Sequence, residues 1–215
     1  MKVLLADSPH WKDLGEDFQQ KYIDRVQAAH QDAAKLLPFG YEHISFLVQP
    51  RKQRLIKITH DNGCTYNSSL IELAFDNEYA AEHPEQIIKQ ARAMVFHEMN
   101  HAARFHLGIW HWRESFLDYC VLEGLATVFA REYAGYDAPW GQYSENDVKA
   151  WLKEVKKAGK DIKDEEYMYT HPDGRKWIGY KVGTYIVDQA MKNSGKSVIE
   201  LTRLEFEDIM KLAEI

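Results

Sequence analysis

Apolar residues in the first 38 positions recur at helical steps. Leu14, Phe18, Tyr22, Val26, Ala29, Ala33 and Leu36 lie three or four residues apart, which predicts one helix, ended by Pro38 and Gly40. The period then changes. Ile44, Phe46 and Val48 alternate, as do Leu55 and Lys57 with Ile56 and Ile58 between them, and Cys64 to Phe75 can supply one or two further strands. Asp61-Asn62-Gly63 carries a turn signal. Residues 41–76 therefore predict a small antiparallel sheet. From Pro84 onward the pattern is helical. One helix should run from Pro84 to about Leu107 and stop at Gly108; a second should run from about Arg113 to Tyr133 and end at Gly135. A third starts at Ser144 and reaches Lys157. After a polar stretch over 159–176, with a turn at Pro172-Asp173-Gly174, helices are expected near 178–193 and 197–213.

Helix, sheet and then several helices is an α+β order. A length of 215 residues favours one domain over 1–215, with a helix-and-sheet half at 1–83 and a helical half at 84–215. Hydrophobic residues at 45% and charged residues at 28% exclude a disordered chain. A net charge of −6 leaves no basic footprint for nucleic acid. No apolar run approaches the roughly 20 residues that span a bilayer, and the apolar stretch after Lys2 is too short for a signal peptide. Two cysteines make no disulfide framework, and Cys64 and Cys120 are expected as buried thiols. A soluble, cytoplasmic protein is the expectation.

The chemistry is concentrated at His97-Glu98-Met99-Asn100-His101, an H-E-x-x-H sequence. At about 100° per residue, His97 and His101 differ by about 40° around a helix and by one turn along it, so two imidazoles reach one ion. Glu98 lies about 60° beyond His101, where it can touch water on that ion without ligating it. Neutral imidazole and water suit zinc in an open tetrahedral site. About 0.04 such matches are expected by chance in a chain of this composition. Glu98 also falls within the apolar arc of Ile87, Ile88, Ala91, Met94, Val95, Ala102 and Phe105. A carboxylate on a buried stripe needs a partner, and a metal site provides one. The alternative is a buried Glu98 hydrogen-bonded to a core histidine.

A third ligand must come from elsewhere. Arg104 and Leu107 stand where a metzincin would carry Gly and His, so that arrangement is excluded. The next helix offers Glu123, 22 positions after His101. Between Ser115 and Ala130 the only charged residues are Asp118 and Glu123, so a lone carboxylate sits in a mostly apolar helix and calls for a cation. Gly124 beside it should let this helix and the H-E-x-x-H helix approach closely. The alternative is an ion pair with Arg131 or Arg104. His106 is about 180° round the helix from His97, and His111 lies beyond Gly108; both read as structural or cleft-lining. Asp118 is a surface or capping residue, or a partner to a ligand histidine.

Glu123 with H-E-x-x-H is the gluzincin pattern. The ordered set resembles one family more narrowly: His97 to His101, Glu123-Gly124-Leu125-Ala126, Pro139-Trp140, and Gly179-Tyr180-Lys181-Val182-Gly183. It is similar to the bacterial YjaZ-type proteins, described as predicted zinc-dependent proteases, over roughly residues 90–195. The resemblance implies a zincin-like domain with one Zn2+ per chain, held by His97, His101 and Glu123. It implies Glu98 as the general base of peptide hydrolysis and a peptide or protein as substrate. Tyr180, in the matched Gly-Tyr, is the candidate for oxyanion stabilisation, the alternative being a core tyrosine. The strand near Leu70 to Phe75 is the expected edge along which a peptide could add. The competing function is an inactive zincin-like domain that binds a peptide or partner; a metal-storage protein would carry several ions.

Overall fold

Helical spacing begins only at Trp11, because the chain first lays down a short strand. In the computed structural model, which describes residues 1–37, 43–109, 115–159 and 162–215, β1 (Lys2–Leu5) precedes α1 (Trp11–Leu36). The helix expected over the first 38 residues is thus cut back at its N-terminal end. The indole of Trp11 donates to the carbonyl of Ala6 at 2.9 Å, which ties the start of α1 to the end of β1. Pro38 and Gly40 lie outside the described residues, as do 41 and 42 of the expected sheet.

The chain divides into two compact units, Met1–His106 and Leu107–Ile215. In the first, β2 (Ser45–Pro50), β3 (Asp61–Asn67) and β4 (Leu70–Phe75) join β1 in one sheet of order β1-β2-β4-β3. The sheet is mixed, which corrects the antiparallel expectation. β1 pairs with β2 in parallel and β2 pairs with β4 in parallel; only β3 and β4 are antiparallel. A parallel pair needs a crossover connection, and α1 is the one between β1 and β2. β4 lies inside the sheet, so it is not the expected edge; β1 and β3 are the edges. The nearly continuous burial of Ile71 to Phe75 reflects that central place.

Two further expectations fail locally. Leu55 to Ile58 form no strand; Ile56 makes an isolated bridge to Asp61, and Ile58 is exposed. Asp61-Asn62-Gly63 is no turn but opens β3.

Phe75 anchors the core of this unit. Trp11, Phe18 and Tyr22 of α1 place their rings 5.8, 5.6 and 5.0 Å from it. Each such buried side chain contributes roughly 1.5–3 kcal/mol. After the short α2 (Asn77–Glu82), α3 (Pro84–Leu107) carries H-E-x-x-H and stops before Gly108, as expected. Arg92 of α3 pairs with Asp32 of α1 at 2.7 Å, and Thr65 of β3 bonds to Glu98 of α3.

The second unit holds α4 (Phe116–Ala134), α5 (Glu145–Ala158), α6 (Asp164–Met168), α7 (Ile178–Ser194), α8 (Val198–Leu201) and α9 (Phe206–Ala213). Arg113, expected near the start of α4, lies outside the described residues. Ser115 caps that helix: its hydroxyl accepts from the Asp118 N–H while Asp118 accepts from the Ser115 N–H. The helix expected over 197–213 is broken between α8 and α9. α4 and α7 cross backbone to backbone at Gly124 and Gly183. A Cβ on Gly183 would stand 1.7 Å from the carbonyl oxygen of Cys120, and one on Gly124 would stand 2.3 Å from the Gly183 carbonyl carbon. Gly124 therefore serves the approach of α7, which corrects the expectation that it serves that of the H-E-x-x-H helix.

Candidate metal centre

His97 and His101 are one turn apart on α3, which has no glycine or proline to bend it between Gln86 and Leu107. Their rings stand at 86° with centroids 4.8 Å apart, and their Nε2 atoms are 3.2 Å apart. Two nitrogens about 2.0–2.1 Å from a tetrahedral zinc are separated by roughly 3.3–3.4 Å. The imidazole pair thus has the spacing of one tetrahedral edge. His97 is half-buried and His101 buried.

Glu98 is buried at 6% exposure and turns onto β3. The Thr65 hydroxyl lies 2.7 Å from Glu98 Oε2 and 2.9 Å from the Glu98 backbone carbonyl oxygen. The carboxylate covers Gly63: a Cβ there would meet Oε1 at 2.4 Å and Cγ at 2.6 Å. This is why glycine stands in a strand at that point. Asp61, Gly63 and Thr65 share one face of β3 by alternation. Burial pushes the Asp61 carboxyl up to about 7, against hydrogen bonds from Thr59 and from its own backbone N–H.

Glu123 is buried at 8% exposure, within the run Cys120 to Ala130 of α4 that is buried throughout. Arg131, a possible counter-ion for it, instead holds Asp188 through two nitrogens at 2.7 and 3.3 Å. Burial first, and then the charge of Glu123, pushes the Cys120 thiol well above its ordinary range. Among the described residues, His97, His101 and Glu123 form one group of three metal-capable side chains, with ligand atoms within 4.8 Å of one another. Two imidazoles and one carboxylate, with a fourth position left for water or substrate, is a donor set that fits zinc.

Each remaining candidate is described by its own element. Tyr180 is half-buried in the first turn of α7, its ring 6.4 Å from Trp140. Asp118 belongs to the capping box of α4. His106 is exposed, and His111 lies outside the described residues. Cys120 is buried as expected, but Cys64 is exposed on the outer face of β3, which corrects the expectation of two buried thiols. Thr65 and Gly63 were not legible as site residues. Nothing in sequence links them to a glutamate more than thirty positions away; only the packing of β3 under α3 does.

Comparison with known proteins points to the same metal. The model of a family described as "Predicted Zn-dependent protease (DUF2268)" matches residues 18–211. The uncharacterized protein YjfC of Bacillus subtilis (strain 168) is 30% identical over 135 residues, which are 55% of this chain and 45% of that protein. The chain therefore matches less than half the length of that relative. No solved structure matches it.

Proposed function

The chain belongs to this family of predicted zinc-dependent proteases, and from that premise we propose that it hydrolyses peptide bonds at a gluzincin-type site held by His97, His101 and Glu123. The observation that carries the reading is the buried Glu98 carboxylate, held by Thr65 and next in the chain to an imidazole pair whose Nε2 atoms are 3.2 Å apart. A protein that only stored or displayed a metal has no need of a buried, oriented carboxylate next to two ligands.

Zinc at this position supplies Lewis acidity, toward both a water and the carbonyl of the scissile amide. The side chains do the rest. His97 and His101 present Nε2 toward one point. Glu98 takes a proton from the attacking water and passes it to the leaving amine. Tyr180 donates a hydrogen bond to the oxygen that becomes negative. A peptide adds along β3, the edge strand whose inner face bears Gly63 and Thr65, by strand pairing.

The test is metal analysis of protein purified without chelator, followed by hydrolysis of fluorescein-labelled casein and a fluorogenic peptide pool. Wild type should cleave, and Glu98→Gln should keep its zinc while losing about 10²–10⁴-fold in rate. Cleavage by Glu98→Gln at the wild-type rate refutes the mechanism.

A further inference from the structure

We propose that Thr65 and Gly63 of β3 are positioning residues for Glu98: the Thr65 hydroxyl anchors one carboxylate oxygen, and the bare backbone at Gly63 provides the space in which the other is held for proton transfer. The inference rests on Glu98 acting as the general base.

The geometry divides the two oxygens. Oε2 is 2.7 Å from Thr65 Oγ1. The same hydroxyl is 2.9 Å from the backbone carbonyl oxygen of Glu98. The single proton of that hydroxyl is shared between two acceptors of one helical residue, its carboxylate and its backbone carbonyl, which ties the Glu98 side chain to the sheet and restrains its torsions. Oε1 has no protein hydrogen bond among the described residues, so it is the oxygen left to take a proton. It stands where a Cβ at position 63 would be, 2.4 Å from that point. Neither residue contacts His97 or His101 in any described bond, so both act on the base without acting as ligands. A carboxylate free to swing on a helix spends little time in the orientation that takes the proton, and misplacement by about 1 Å can cost about 10²-fold in rate.

Three variants test this. Thr65→Val keeps the shape and removes the hydroxyl; Thr65→Ser keeps the hydroxyl; Gly63→Ala puts a methyl group where the carboxylate lies. Zinc content, kcat and KM on the labelled casein are measured for each, together with the carboxyl carbon resonance of Glu98 in 13C-glutamate-labelled protein, assigned by its absence in Glu98→Gln. Thr65→Val and Gly63→Ala should keep one zinc per chain and an unchanged KM, and should lower kcat by about 10–100-fold. Thr65→Ser should restore most of it. The Glu98 resonance should move in Thr65→Val and stay in Thr65→Ser. An unchanged kcat in Thr65→Val, or a Glu98 resonance that ignores the hydroxyl, overturns the proposal. Absence of hydrolysis by wild type overturns the peptidase reading instead, and the resonance then decides the role of Thr65 alone.

Discussion

Replacing Asp61 by asparagine should stabilise the protein, and by an amount that grows with pH. Asp61 is 6% exposed on the inner face of β3, and burial raises its carboxyl from an ordinary 3.8 to about 7. Its charge also helps to push up the buried Tyr22 hydroxyl, so the two groups are close. A shift of that size costs the ionised form about 4 kcal/mol. The sign follows from proton counts. Below about pH 4 folded and unfolded chains both hold the proton, and the site costs nothing. Between about pH 4 and 7 the unfolded chain ionises while the folded one keeps its proton, so wild-type stability falls as pH rises. Above about 7 the cost levels off. Asp61→Asn keeps the hydrogen-bonding shape and cannot ionise. Its advantage over wild type should therefore grow by about 2–3 kcal/mol between pH 5 and pH 8, or roughly 5–10 °C in melting temperature for a chain of this size. Thermal melts across that range, with chelator present so that protons and metal do not compete at the histidines, provide the assay. Parallel curves for the two proteins would refute the reasoning.

Three other outcomes are expected. Purified protein should carry close to one zinc per chain, and His97→Ala or His101→Ala should lose most of it by metal analysis; full retention in either removes that ligand. Glu123→Gln should weaken zinc affinity in a competitive titration, yet leave the apo-protein at least as stable as wild type in melts with chelator, because a buried charge without a cation is relieved. Unchanged affinity moves the third ligand elsewhere. Gly183→Ala should destabilise by about 2 kcal/mol or more, since its Cβ would fall 1.7 Å from the Cys120 carbonyl oxygen and α4 must separate from α7 to admit it; a melting temperature equal to wild type contradicts the close crossing.

Local regularities were legible in the sequence wherever a single element determined them. The α3 helix, its stop at Gly108 and the facing pair His97 and His101 follow from helical period and chain chemistry alone. Asp118 was open in the sequence between surface, cap and partner to a ligand histidine, and the structure makes it a cap with Ser115. The burial of Glu98 and Glu123 followed from the apolar positions around them, since each sits on a stripe that can only face inward. What failed depended on partners distant in sequence. β1 is four residues long, and its half-exposed pattern acquires meaning only through parallel pairing with β2, forty residues later. Leu70 to Phe75 has the composition of a strand in any position, and its central place is decided by β2 pairing on one side and β3 on the other.

Gly63 shows the boundary most plainly. Read along the chain, Asp-Asn-Gly signals a turn, because local backbone preference is all that neighbouring residues report. In the folded protein the same glycine lies in a strand, and its missing side chain leaves room for Glu98. The sequence by itself determined which groups are candidates for the chemistry, because one helical turn sets the spacing of the two histidines and of the glutamate between them. The tertiary structure decided how that glutamate is held, because a hydrogen bond between Thr65 and Glu98 exists only once a sheet edge and a helix have packed.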